Sequence, residues 1–319
     1  MQSGAVHPLR VHAEGASPPR RPLLVRSTPR WLGPYFWAAG AVPGLVRGVQ
    51  PLAARLATLA SREVRANTRC NAERIFGRRL RADEAARFSR GVIGSFCEFL
   101  TDMGSCSHAS REELLSRVDA VHGEREYLAA RAERRGAVLV TAHMGSFELG
   151  LAALSRVEPR VHVVFQRDAS GAFDAMRSRV RSRLGVIESP IDDGVGSWLG
   201  LREALVNDGV VVLQGDRAVP GQRSQVVPFL HGHLRIPTGP VRLARITGSP
   251  IVPVFTVRNA RGGREVLLFP PIDPAAGEGS EPDVTVLAVA AAIETVVQRY
   301  PEQWLVLRRA FEEDQNPAG

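Results

Sequence analysis

From residue 136 onward the chain alternates short apolar runs with amphipathic segments, and this texture narrows the fold more than any other feature. Residues 137–142, 161–165, 186–188, 210–214, 226–230, 251–257 and 266–269 read as strands, rich in Val, Ile, Leu and Phe and bounded by turn-forming residues. Between several of them, residues 146–155, 170–183, 197–206 and 240–247 carry helical spacing, and a last helix covers about 284–299. Strands alternating with helices predict an α/β fold, a mixed but mostly parallel sheet flanked by helices. A length of 319 residues suits one large domain or two modest ones.

The segment ahead of this core reads as helical. Phe88, Val92, Phe96, Phe99 and Met103 step by helical intervals along one face, with Asp83 placed to cap that helix. Arg62, Arg65, Arg69, Arg74, Arg78 and Arg79 crowd the preceding stretch and read as a solvated face. Residues 31–46 carry no charge but include Gly33, Pro34, Pro43 and Gly44, and they fall short of the roughly 20 residues a spanning helix needs. Trp31, Tyr35, Phe36 and Trp37 cluster there between arginines, which fits either anchoring in a lipid headgroup layer or packing on the protein's own core. The expected organisation is a basic arm (1–30), one main unit (31–309) and a frayed tail (310–319). Within the unit, 31–60 form an interface anchor, 61–135 a helical region and 136–309 the α/β core.

Every basic residue is Arg, and the formal net charge is +8. Guanidinium keeps its charge and grips phosphate or carboxylate with a two-pronged fork. The balance favours an anionic partner: headgroups, a phosphorylated ligand, an acidic carrier protein or nucleic acid. Zinc-finger spacing, an aromatic-studded RNA-binding signature and a helix-turn-helix cue are absent, so no nucleic-acid partner is expected. Cys70, Cys97 and Cys106 form neither a disulfide framework nor a metal-ligand pattern, and the N-terminus does not read as a secretion signal. His231 and His233 flank Gly232 without a third ligand at suitable spacing, so they read as a turn and no metal or other cofactor is expected.

Residues 138–149, VLVTAHMGSFEL, hold the most chemistry. A buried strand delivers His143 at its carboxyl end, where sites form in open α/β sheets, and Gly145 and Ser146 turn the chain into a helix whose first turn carries Glu148. A neutral imidazole there can take a proton, and a carboxylate one turn on can hold the ring's other N–H. The first N–H groups of the helix could face a developing oxyanion. Gly145-Ser146-Phe147 lacks the nucleophile elbow G-x-S-x-G, which favours direct transfer to a substrate hydroxyl over an acyl-enzyme.

With its surroundings, H-x4-E at His143 and Glu148 resembles the motif of the lysophospholipid acyltransferase superfamily, and more closely the bacterial lipid A late acyltransferases and the phosphatidylinositol mannoside acyltransferases. The similarity continues through Phe165-Gln166-Arg167, Arg181, Gly215-Asp216-Arg217, Val227-Pro228-Phe229-Leu230, the segments 238–245 and 251–254, Tyr300-Pro301-Glu302-Gln303-Trp304 and Arg308-Arg309. The resemblance implies a glycerolipid acyltransferase-like fold at the cytoplasmic face of a bacterial inner membrane. It implies a fatty acyl thioester donor on acyl carrier protein or coenzyme A, and a lipid or glycolipid hydroxyl as acceptor. His143 would be the base and Glu148 its partner, while Arg181, Asp216 and Arg167 would bind substrate. Read from the residues alone, Arg181 also fits a solvated helix face, and Asp216 a cap or turn. Ser146-Phe147 stands where the family often has Asn-Trp, which leaves a non-catalytic lipid-binding protein as the alternative.

Overall fold

A computed structural model describes residues 32–167, 172–219, 221–276, 279 and 282–315, so the basic arm, Trp31 and the last four residues lie outside the described residues. The chain begins with helices α1 (Leu32–Ala41), α2 (Pro43–Ala60), α3 (Arg62–Phe76), α4 (Ala82–Cys106) and α5 (Arg111–Ser116). Strand β1 (Val118–His122) and helix α6 (Glu124–Arg131) lead to β2 (Ala137–Thr141), α7 (Phe147–Leu154), β3 (Val161–Phe165), α8 (Ala172–Arg183), β4 (Ile187–Pro190), α9 (Val195–Val206) and β5 (Val210–Gln214). A hairpin of β6 (Ser224–Phe229) and β7 (Gly232–Pro237) follows, then α10 (Gly239–Thr247), β8 (Ile251–Arg258), β9 (Arg264–Leu268), α11 (Val284–Arg299) and a short α12 (Glu312–Gln315).

The main sheet runs β1-β9-β8-β2-β5-β3-β4. Strands β8, β2, β5, β3 and β4 are parallel neighbours, while β9 runs antiparallel to β8 and carries β1 parallel to itself. The fold is thus the expected α/β class. Central β2 is buried along its whole length, as a parallel strand covered on both faces must be, and its apolar run AVLVT satisfies that demand. Its side chains alternate between two cores. Val138 and Val140 join Val211, Leu213, Phe255, Ile293 and Trp304 on one face. Ala137 and Leu139 join Leu149, Leu151, Val180 and Val212 on the other.

Several details differ from the sequence reading. β1 lies inside the segment read as helical; its VDAVH residues are half-buried or exposed, so they lack the apolar run of a central strand. β7 begins within the residues read as a turn, and His231 and His233 belong to the hairpin that it forms with β6. α4 is capped from Arg81, whose N–H donates to Glu84 at 2.9 Å, which leaves Asp83 as a first-turn residue. The tail is not frayed as far as Gln315. Phe311 is fully buried, and Glu312, Glu313 and Asp314 pair with Arg235, His233 and Arg74, so charge complementarity docks the acids on the hairpin and α3.

The clustered aromatics differ in their surroundings. Phe36 is buried and Tyr35 donates or accepts a 2.7 Å hydrogen bond with Thr101, whereas Trp37 is 67% exposed. α2 carries two stripes: Val46, Gln50, Ala54 and Thr58 are buried, and Leu45, Val49, Leu52, Leu56 and Leu59 are exposed. Among the described residues, no helix is long and apolar enough to cross a membrane.

Candidate active site

Neighbouring parallel strands β2 and β5 bring the site together. Thr141 pairs with Gln214 in register, the Gly215 N–H donates to the Thr141 carbonyl at 2.7 Å, and each chain runs on to place His143 beside Asp216. The site therefore stands at the carboxyl edge of the sheet, as the sequence places it. His143 Nδ1 lies 2.7 Å from Asp216 Oδ1, and the His143 backbone N–H donates to Oδ2 at 3.1 Å. The Trp304 indole N–H donates to Oδ2 at 2.9 Å. Trp304 itself is held by a bridge to Met144, and the Leu305 N–H donates to the His143 carbonyl at 2.7 Å.

These contacts fix the electrostatics. The Asp216 side chain is completely buried, which by itself raises a carboxyl pKa; the facing imidazole, the indole N–H and the Arg217 charge outweigh that and hold it well below the usual carboxylate range. An ionised carboxylate only accepts, so Nδ1 carries the proton that it receives. Nε2 then presents its lone pair on a side chain 25% exposed, and Arg217 Nη2, a donor only, stands 3.3 Å from it. Gly145 makes the following turn possible. Its φ is +56°, and a Cβ there would lie 1.9 Å from the Thr256 carbonyl oxygen.

The structure places the residues expected to orient the histidine or bind substrate as follows. Glu148 does not hold the histidine; it is buried in the first turn of α7 and forms an ion pair with Arg181 at 3.5 Å. A helix running away from His143 carries Glu148 into the core between α7 and α8, while the neighbouring strand supplies the carboxylate that reaches Nδ1. Arg181 is 2% exposed, bonded to Glu188 at 3.0 Å and stacked over Phe165 and Phe147, so it does not lie on a solvated face. Asp216 faces His143. Arg167 is exposed beyond β3, its backbone N–H donating to Asp192 at 2.8 Å. Trp304 and Arg217 had no role in the sequence reading; the signal for Arg217 was its place directly after Asp216 at a strand end.

A cavity of about 470 Å³ lies between α7 and the sheet. Leu139, Leu151, Leu154, Val212, Val254 and Leu268 line it, and Thr141 and Phe147, which flank the His143–Ser146 turn in sequence, belong to its wall. Among the described residues, no three His, Cys, Asp or Glu side chains converge as a metal centre requires.

A buried carboxylate bonded to an imidazole whose Nε2 is partly open is an arrangement that can take a proton. Residues 21–313 match the family described as bacterial lipid A biosynthesis acyltransferase, and the chain belongs to that family. It is similar to the lipid A biosynthesis lauroyltransferase of Escherichia coli (strain K12), 26% identical over 205 residues that cover 62% of this chain and 63% of that protein. The chain thus matches less than two thirds of that relative's length.

Proposed function

We propose that this protein transfers a fatty acyl group from a thioester, on acyl carrier protein or coenzyme A, to a hydroxyl of a lipid A-type glycolipid or related lipid. The observation that carries the reading is the 2.7 Å contact between His143 Nδ1 and the buried Asp216, which leaves Nε2 as the base toward the open side. Nε2 takes the hydroxyl proton as the oxygen attacks the thioester carbonyl, and Asp216 stabilises the imidazolium that forms. Glu148 enters as a positioning residue, holding the start of α7 through Arg181. His143→Ala is expected to lower acyl transfer by about 10²- to 10⁴-fold while the circular dichroism spectrum stays unchanged. Normal turnover by that variant would overturn the reading.

The cavity supports a fatty acyl donor. Each buried methylene contributes about 0.8 kcal/mol, so a wall that stops the chain one methylene short changes relative use by about fourfold. Ala153, 8% exposed, is part of that wall. Ala153→Phe is expected to shift the preferred thioester to a shorter chain, read by competing acyl donors of different length in one assay. An unchanged length profile would place the acyl chain elsewhere.

The exposed stripe on α2 supports work at a membrane surface. Leu45, Val49, Leu52, Leu56 and Leu59 present apolar area, and exposed Arg47, Arg55 and Arg62 lie close by in sequence, the composition of a helix lying in a headgroup layer. Attachment through that face would leave the protein peripheral or monotopic on the cytoplasmic side of a bacterial inner membrane.

A further inference from the structure

We infer that Arg217 is a catalytic residue that stabilises the oxyanion formed as the thioester is attacked. The inference rests on the acyl-transfer reading above and adds a group to its chemistry. Arg217 is half-buried at the end of β5, and its Nη2 approaches His143 Nε2 to 3.3 Å. Among the described residues, no carboxylate lies within ion-pair distance of this guanidinium, whereas Arg181, Arg131, Arg245 and Arg264 all have acidic partners. A partly buried cation without a carboxylate, set against the nitrogen that handles the proton, is arranged for negative charge that arises there.

Distance in bonds decides what kind of charge that is. The acceptor oxygen must come within hydrogen-bond reach of Nε2. The carbonyl carbon bonds to that oxygen, and the carbonyl oxygen is one bond further. A guanidinium already touching Nε2 is therefore next to the reacting centre. A phosphate on the acceptor or on the donor's carrier arm is separated from that centre by many more bonds.

The hydroxyl oxygen forms a bond to the thioester carbon, its proton passes to His143 Nε2, and the carbonyl π pair moves to oxygen, where Arg217 N–H groups receive it. The pair then returns, the carbon–sulfur bond breaks, and the departing thiolate takes the proton from Nε2–H. An ester and a free thiol result, with the enzyme unchanged. In the empty site the guanidinium rests on the Nε2 lone pair; the arriving hydroxyl displaces it toward the carbonyl oxygen.

The test uses single-turnover transfer from a fatty acyl–coenzyme A to a lipid A precursor, with and without its phosphate groups. Wild type, Arg217→Gln, Arg217→Lys and His143→Ala are compared. Arg217→Gln is expected to lower the chemical rate about 10²- to 10³-fold, equally for both acceptors and with KM changed less than threefold. Arg217→Lys should recover part of the rate because it restores the charge without the fork. A Gln variant with an unaltered rate overturns the inference. So does one that only raises KM for the phosphorylated acceptor, which would make Arg217 a phosphate clamp. If His143→Ala turns over normally the acyl-transfer reading itself falls; if it is dead while Arg217→Gln is normal, only the role of Arg217 falls.

Discussion

Asp216→Asn is expected to lower kcat by about 10³- to 10⁴-fold, a loss comparable to that from removing the histidine, although the carboxylate touches no substrate. The amide keeps the shape of the side chain. However, its NH₂ group facing Nδ1 selects the opposite tautomer, which puts the proton on Nε2 and removes the base. The same variant changes stability with a defined sign. A carboxyl whose pKa is depressed on folding stabilises the native state above its unfolded value of about 3.9, and that contribution is lost as pH falls through the folded value. Asp216 is such a group, held down by His143, Trp304 and Arg217 against the effect of burial. Urea midpoints of the wild type should therefore carry this contribution in full from pH 7 to about pH 5 and lose it below about pH 4. The Asn variant lacks that component of acid sensitivity. Full activity in Asp216→Asn would separate the buried carboxylate from the function of the imidazole.

Arg181→Ala is expected to destabilise the fold by about 3–5 kcal/mol, because it leaves a buried carboxylate without its counter-ion. Glu148 and Arg181 have side-chain exposures of 3% and 2%, so solvent cannot replace either partner. Arg181 also joins Glu188, whose other oxygen accepts from Ser178 on α8, which ties α8 to β4. The double variant Arg181→Met with Glu148→Leu should lose much less, since replacing a buried pair by apolar groups of similar size is often nearly neutral. Chemical denaturation measures both. If Arg181→Ala kept wild-type stability and raised only the KM of a phosphorylated substrate, the side chain would be reaching a ligand after all.

Those contrasting roles show what the sequence made legible. The parallel core was readable because strands such as VLV at 138–140 and VVVL at 210–213 are apolar on both faces, a pattern few other structures tolerate. The edge of the sheet was not, because β1 is only half covered and alternates with polar residues. β7 was hidden for a related reason: His231, Gly232 and His233 read as a turn, and the strand shows only in the burial of Leu234 and Ile236 on either side of exposed Arg235. His143 could be found from its place at a strand end. Its partner could not, since spacing draws attention to the carboxylate five residues on, while Asp216 lies 73 residues away and becomes adjacent only through the order β2-β5. That Arg181 is buried was not readable, because twelve residues of α8 carry several arginines, and composition does not say which one turns inward.

Trp304 follows Asp216 by 88 residues, and its indole is one wall around that carboxylate. During synthesis the imidazole, the acid and the guanidinium leave the ribosome well before that wall does. A nascent chain therefore holds those three groups without their full enclosure until residue 304 has been made and packed.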